Sequence, residues 1–246
     1  MARDSARRSA ASPRRLVLAD GTYDAIKGMI LDHEISPGEH VGIDELSRDL
    51  SVSQTPIREA LARLESDGLV IKIPLRGYQA TDLLSVQQFD ELFQFRALIE
   101  PWAASEAARR STRRDIDRIS QSGSSSTYAD FVEHDTRLHA LVAHASGNTF
   151  IEDAFIRTRC HMHLFRVYKA SAAIEGDGDP QGGFVRDMFA EYYQSGHRPL
   201  AISEHEEIVG AIAGGDGDRA RELMLHHIES SRHRFIAAVE ALNARA

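Results

Sequence analysis

The sequence predicts a mainly α-helical protein with two domains: an N-terminal winged helix-turn-helix with a small β wing, and a C-terminal all-α antiparallel helical bundle. Residues 21–81 show three helical segments followed by two short extended segments, the element order of a winged helix-turn-helix. From Leu83 onward, apolar residues recur at helical spacing. A chain of 246 residues with 42% hydrophobic content can form two cores. We expect a disordered arm at 1–18, a first domain at 19–81 and a second at 83–246.

Composition excludes several classes of protein. No stretch approaches the roughly 18 uncharged apolar residues of a membrane span, so we expect no membrane partner. Residues 1–18 are rich in Ala, Ser and Arg and lack the apolar core of a secretory signal. Cys160 is the single cysteine, which excludes an internal disulfide and is typical of a reducing compartment. We therefore expect a cytoplasmic protein.

Residues 52–69 contain the most informative helical segment. Its apolar residues follow one helical face, at Ile57, Ala60, Leu61 and Leu64. Its polar residues near the start face away from that stripe, at Ser53, Gln54, Thr55 and Arg58. Short hydroxyl and amide groups at a helix N-terminus, followed by an Arg, suit insertion into the major groove of DNA. Taken alone, the segment is equally consistent with an ordinary surface helix.

The neighbouring segments favour DNA binding. They complete the motif, with helical segments at 23–30 and 43–50 before this helix and extended segments at 69–73 and 78–81 after it. The formal net charge is −8, so the chain lacks the overall basic character of many DNA-binding proteins. Cations must therefore gather on one face, at Arg58, Arg76 and Lys72. Because binding to each half-site should be weak, we expect a homodimer on double-stranded operator DNA.

This N-terminal stretch resembles the DNA-binding domain of the GntR family of bacterial transcription regulators. The matching residues are Pro37-Gly38, Leu46, the run from Val52 to Leu61, Leu64, Gly68-Leu69 and Gly77. The resemblance implies that operator DNA is contacted by Ser53, Gln54, Thr55, Arg58, Arg76 and Gly77. The family usually carries Arg where this chain has Gln54. Because Gln pairs with adenine edges and Arg with guanine edges, we expect a different base preference at that position.

The second domain reads as a series of helices without a convincing strand. The spacing predicts helices over 85–109, 113–120, 127–146, 149–172, 184–195, 200–214 and 216–243. Breaks fall at clusters of Gly, Ser and Asp. Residues 171–199 are rich in Gly and Asp, and we interpret them as an inserted loop and short helix. The whole pattern predicts an antiparallel bundle.

Four polar residues of this domain lie on apolar helical faces, on three different helices: Asp135, His139, His205 and His227. A buried polar group without a partner is costly, so each of them needs one. One solution is convergence on a divalent metal, which neutral imidazole and carboxylate bind directly. The residues alone leave two other interpretations open: hydrogen-bonded core histidines, and a simple i, i+4 pair between Asp135 and His139.

Residues 83–240 resemble the FCD effector domain of the FadR subfamily of GntR regulators. Two motifs carry the match, Asp135-x3-His139-x8-Asn148 and the stretch from His205 through Asp216 to His227. In metal-binding members the ligands correspond to Asp135, His139, His205 and His227, and all four residues match. The resemblance therefore implies a divalent metal cofactor. We expect zinc, with nickel and manganese also chemically permissible.

Arg96 is the other candidate site residue. It lies on the same helical face as several apolar residues, so its side chain reaches the domain edge, forms an ion pair with Glu100, or meets an anionic ligand. The FadR-type resemblance implies the third role, with Arg96 binding a small carboxylic acid effector. These features predict a dimeric transcription regulator, most simply a repressor, whose operator affinity depends on that effector. The alternatives are a metal-dependent enzyme and a direct metal sensor that use the same three-His, one-Asp site.

Overall fold

The computed structural model describes residues 13–120, 128–173 and 200–244. The chain divides into two compact units, Met1–Asp82 and Leu83–Ala246. Among the helices in the described residues, none is long and apolar enough to cross a membrane. The described residues are mainly α-helical, as the sequence predicted.

The first unit contains three helices and a small sheet. Its elements are α1 (Pro13–Leu31), β1 (His40–Val41), α2 (Ile43–Asp49), α3 (Gln54–Ser66), β2 (Val70–Ile73) and β3 (Gly77–Ala80). The sheet is antiparallel with the order β1-β3-β2, and Val70 pairs with Ala80 at the base of the hairpin. The apolar stripe of α3 is fully buried, at Ile57, Ala60, Leu61 and Leu64. This arrangement confirms the winged helix-turn-helix; only the two-residue strand β1, too short to produce a sequence pattern, was not predicted.

Gly68 ends α3 and starts the wing. Its φ of +70° lies in the left-handed region that favours glycine. The Gly68 amide donates to Glu65 and the Leu69 amide donates to Leu64, so the last carbonyl groups of the helix are satisfied. The chain then enters β2 with Leu69 and Val70 fully buried. This turn fixes where the wing leaves the recognition helix.

The second unit is a helical bundle. Its described helices are α4 (Val86–Arg110), α5 (Arg113–Ser120), α6 (Tyr128–Ala145), α7 (Thr149–Thr158), α8 (Cys160–Ala173), α9 (Leu200–Ala213) and α10 (Gly217–Asn243). The two longest, α4 and α10, pack along each other, and α6, α8 and α9 surround them. Their shared core includes Phe89, Phe93, Leu138, Val142, Ile208, Ile212, Met224 and Phe235. This packing turns one face of α6, α9 and α10 toward a common interior.

Two helix boundaries differ from the sequence prediction: α1 begins at Pro13, ten residues before the predicted segment at 23–30, and one predicted helix is divided. The single helix predicted over 149–172 is two helices, because Arg159 adopts a left-handed conformation with φ of +47° between α7 and α8. No Gly or Pro marks that position, so the break left no signal in the sequence. The break changes which side chains of α8 face the core.

Two predicted segments fall largely outside the described residues. The arm at 1–18 is described only from Pro13, where α1 already begins. The helix predicted over 184–195 lies wholly within 174–199, which is not described, and so does most of the insertion at 171–199.

Candidate metal centre and nucleic-acid interface

Four side chains from three helices meet inside the second unit. Asp135 and His139 lie one turn apart on α6, His205 lies on α9, and His227 lies on α10. All four are buried, with 9% of Asp135 exposed and 2–3% of each histidine. One ligand atom from each residue lies within 4.8 Å of the ligand atoms of the other three. The structure thus brings together the four residues that the sequence singled out.

The donor atoms face one another around one carboxylate oxygen. His205 Nε2 lies 3.0 Å from Asp135 Oδ1, and His139 Nε2 lies 3.5 Å from the same oxygen. His205 Nε2 and His227 Nε2 are 3.3 Å apart. Adjacent ligands of a first-row metal, each at roughly 2.1 Å from the ion, are separated by about 3 Å. These spacings suit a metal better than they suit hydrogen bonds between imidazoles.

Two carboxylates outside the group set the orientation of two histidines. Glu100 Oε2 lies 2.5 Å from His139 Nδ1, and Glu204 Oε2 lies 2.7 Å from His227 Nδ1. A carboxylate on Nδ1 favours a proton there and leaves Nε2 available as a ligand. Glu204 is held in turn by the Ser230 hydroxyl, which donates to its Oε1 at 3.0 Å. Each of these two rings therefore directs Nε2 inward.

Arg96 forms the ion pair that was one of its three predicted roles. Its side chain is fully buried, and Nε donates to Glu100 Oε1 at 2.5 Å. A second nitrogen, Nη2, donates to Glu100 Oε2 at 3.3 Å. Glu100 is therefore shared between Arg96 and His139. Of the five N–H groups of the guanidinium, Glu100 uses two.

The charges of the metal-free centre suit a cation. Burial would raise the pKa of Glu100, but Arg96 and His139 hold that pKa below its usual range. Burial would also raise the pKa of Asp135, but His161 and hydrogen bonds from His139 hold it well below its usual value. Burial lowers the pKa of His227 to about 3, so its ring is neutral. The centre therefore presents ionised carboxylates and at least one neutral imidazole.

His139 differs from His227. Burial would lower the pKa of His139, but the charge of Glu100 and a hydrogen bond to Asp135 raise it to about 9. In the metal-free protein this ring is therefore an imidazolium between two carboxylates. A metal would have to replace its Nε2 proton.

A further histidine adjoins the group, and the sequence pattern did not identify it. His161 is 3% exposed, and its Nε2 lies 2.8 Å from Asp135 Oδ2. In the single helix predicted over 149–172, His161 does not stand out from its neighbours. The break at Arg159 resets the helical phase, and this turns His161 toward Asp135. The sequence pattern also did not identify Glu204. Its contact with His227 joins two different helices, and spacing along one helix does not predict such a contact.

The DNA-reading residues predicted from the sequence lie on the surface of the first unit. The exposed ones are Ser53, Gln54, Thr55, Arg58 and Arg76. Ser53 occupies the N-cap position of α3, yet its side chain forms no capping hydrogen bond. Gly77 is half-buried with φ of +90°, at the turn of the wing beside Arg76. These positions place the hydroxyl, amide and guanidinium groups at the protein surface.

Gln54 is held from two sides. Its Nε2 donates to Asp44 Oδ1 at 2.5 Å, and Arg58 Nη2 donates to its Oε1 at 3.5 Å. The side-chain amide therefore has a defined orientation, with one N–H and one lone pair remaining. Asp44, which the sequence did not single out, lies at the start of α2 and faces Gln54 across the turn.

Comparison with known families assigns both units. The description "Bacterial regulatory proteins, gntR family" matches residues 18–79, and "FCD domain" matches residues 91–230. The HTH-type transcriptional regulator LutR of Bacillus subtilis is 27% identical over 223 residues, which cover 81% of this chain and 93% of that protein. The Nta operon transcriptional regulator of Aminobacter aminovorans is 36% identical over 88 residues, which cover 36% of this chain and 41% of that protein.

A solved structure shows the same fold. McbR/YncC of E. coli superposes with a TM-score of 0.56 at 16% sequence identity, over 87% of this chain and 94% of that one. At this level of identity the likeness concerns architecture alone.

Proposed function

Because this chain belongs to the GntR family of bacterial transcription regulators and carries an FCD domain, we propose that its helical unit binds a divalent metal and a small carboxylic acid effector that alters operator affinity. Family membership makes the protein a DNA-binding transcription regulator and not an enzyme. The metal, the effector, the dimer and repression are parts of the proposal. One observation carries it: three imidazole nitrogens and one carboxylate oxygen converge in a buried core.

The metal would be held by Asp135, His139, His205 and His227. Three imidazoles and one carboxylate suit zinc, nickel or manganese, and we favour zinc because of the nitrogen-rich set. Bound there, the ion would act as a Lewis acid that attracts anionic oxygen. The chain itself contributes preorganised rings, since Glu100 and Glu204 already direct two Nε2 atoms inward.

The effector would be a small carboxylate. An ion that takes more than four ligands would keep room beside the four protein groups for a carboxylate oxygen, which is a suitable ligand. Arg96 and His139 both contact the Glu100 carboxylate. The N–H groups of Arg96 that do not donate to Glu100 can donate to an anion. We propose that the effector acts through its preference for one arrangement of the dimer, since a ligand shifts an equilibrium only by binding its states differently.

On DNA, two copies of α3 would read two half-sites. Exposed apolar side chains on α4 support a contact between copies, since Leu98 is 76% exposed and Trp102 36% exposed one turn apart. The recognition set would be Ser53, Gln54, Thr55 and Arg58, with Arg76 and Gly77 from the wing. Half-sites should lie about 34 Å apart or at a related fixed spacing.

The proposal is tested by a thermal-shift screen of sugar acids, dicarboxylates and amino acids, with and without a chelator. We expect at least one carboxylate to raise the melting temperature of the zinc-loaded protein and to leave the chelated protein unchanged. The same compound should weaken operator binding in a gel-shift assay. If zinc alone changes operator affinity to the same extent, the protein is a direct metal sensor and the effector part of the proposal is wrong.

A further inference from the structure

His161 is a buried histidine that contacts the group of four without belonging to it. It lies on α8, 3% exposed, with its ring centroid 5.0 Å from that of His139. Its Nε2 lies 2.8 Å from Asp135 Oδ2, but the N–H does not point at that oxygen well enough to form a hydrogen bond, and this nitrogen has no hydrogen-bond partner among the described residues. A buried nitrogen in this position requires an explanation, because an unsatisfied polar atom destabilises the fold.

The two oxygens of Asp135 face different partners. Oδ1 faces the inner histidines, at 3.0 Å from His205 Nε2 and 3.5 Å from His139 Nε2. Oδ2 faces His161. The set of mutually close donor atoms contains His139, His205 and His227 but not His161. His161 therefore lies on the Oδ2 side of the Asp135 carboxylate, and the three other histidines lie on or near the Oδ1 side.

We propose that His161 is a positioning residue of the metal centre: from its 2.8 Å contact, a small rotation of the ring lets Nε2 donate a hydrogen to Asp135 Oδ2, and this commits Asp135 to face the three histidines with Oδ1 alone. The inference rests on the proposed metal site. It assigns to α8 a role in this chain's binding chemistry, in addition to the helices α6, α9 and α10 that supply the ligands. Without His161, the carboxylate could rotate and present both oxygens.

A carboxylate that is held by one oxygen has two consequences for the chain. Its orientation is fixed before any ligand arrives, so less conformational freedom is lost on binding. It also occupies one position around a cation where a two-oxygen carboxylate would occupy two. His161 thereby preserves room for an anionic oxygen from outside the protein.

The test compares zinc affinity, measured by competition with a chromogenic chelator, in His161→Leu and His161→Gln. We expect His161→Leu to weaken zinc binding by about 10–100-fold, the usual effect of removing a group that orients a ligand, with one zinc per chain at saturation. We expect His161→Gln to retain most of the affinity, because its amide can donate the same hydrogen bond. His163→Leu, a half-buried histidine on the same helix, is the matched control and should leave zinc affinity unchanged.

A second measurement needs no variant and therefore does not depend on folding of the leucine protein. In the wild-type chain loaded with ¹¹³Cd, ¹⁵N NMR should show coupling between the cadmium and ring nitrogens of His139, His205 and His227. His161 should show no coupling and should carry its proton on Nε2. Coupling to His161 would make it a ligand and would overturn the positioning role.

The remaining outcomes separate this inference from the proposed function. A wild-type protein that binds no zinc would refute the metal site itself. A folded His161→Leu protein that binds zinc as tightly as the wild type would refute only the role of His161. A folded His161→Gln protein as weak as His161→Leu would show that hydrogen-bond donation is not what His161 supplies.

Discussion

His139 is the residue on which the chemistry of the centre depends most. Its two ring nitrogens face two carboxylates, Glu100 at 2.5 Å and Asp135 at 3.5 Å. In the metal-free protein these carboxylates stabilise the protonated ring, while in the loaded protein Nε2 must be free of its proton. A metal bound at the proposed site would therefore compete with the proton for the same atom.

This competition predicts the pH dependence of zinc binding. The pKa of His139 is raised from 6.5 to about 9, so the ring is charged near neutral pH in the metal-free protein. That charge stabilises the metal-free fold fully below the unfolded pKa of 6.5, and the stabilisation is lost as the pH rises through about 9. Zinc affinity should therefore increase with pH up to about 9 and then level off.

Calorimetric titration of the protein with zinc, in two buffers of different protonation enthalpy, measures how many protons are released when zinc binds. We expect about one proton per zinc near pH 7.5 and fewer above pH 9. His227 should contribute none, because burial lowers its pKa to about 3. Zinc binding without proton release at pH 7.5 would contradict the assigned charge of His139.

At the DNA surface, Gln54 predicts the base that is read. Asp44 and Arg58 hold its amide with one N–H and one lone pair available, the pattern that pairs with adenine. Selection from a randomised operator library should give adenine at one position of each half-site for the wild-type protein. Gln54→Arg should change that preference to guanine, with a discrimination of about 1–3 kcal/mol.

Asp44→Ala provides the control for orientation. It should relax the preference at that one position and leave the others unchanged, because it frees the amide of Gln54. A uniform gain in affinity for all sequences would instead show that Asp44 acts only by repelling phosphate. Identical selected sequences for wild type and Asp44→Ala would contradict the positioning of Gln54.

At the scale of elements, two helix starts offer a matched comparison. Ser85 begins α4 with a complete capping box, in which its side chain accepts from the Gln88 amide and Gln88 accepts from the Ser85 amide. Ser53 begins α3 without a side-chain capping hydrogen bond. The same residue type therefore stabilises one helix and remains available for DNA on the other.

Substitution of each serine by alanine should separate the two roles. Ser85→Ala should lower the free energy of unfolding by about 1 kcal/mol and leave operator affinity unchanged. Ser53→Ala should change stability by a smaller amount and weaken operator binding. Urea unfolding and gel-shift titration of both variants measure these effects, and the opposite assignment of effects would contradict the roles.

The elements also show what the sequence could predict and what it could not. Asp135 and His139 were predicted to be neighbours because they lie on one helix, where spacing determines the face. Glu204 and His161 were missed because their partners lie on other helices or depend on the phase of α8 after Arg159. Contacts within an element follow from periodicity, whereas contacts between elements follow from packing.

At the scale of the whole molecule, net charge limits how DNA is bound. The chain carries −8 overall, so the cations near α3 act against a negative background. We expect a duplex with one half-site to bind at least about 100-fold more weakly than the two-site operator, because the second contact is intramolecular only in a dimer. Fluorescence anisotropy with both duplexes measures the ratio, and equal affinities would contradict the dimeric arrangement.

The central claim is that one buried centre in the helical unit holds a divalent metal. Its most direct test is the zinc content of the purified protein after dialysis against zinc, measured by mass spectrometry. We expect one zinc per chain in the wild type and in His226→Ala, whose imidazole is exposed beside the centre, and none in His139→Ala/His205→Ala. Undiminished zinc in the folded double variant would contradict the account.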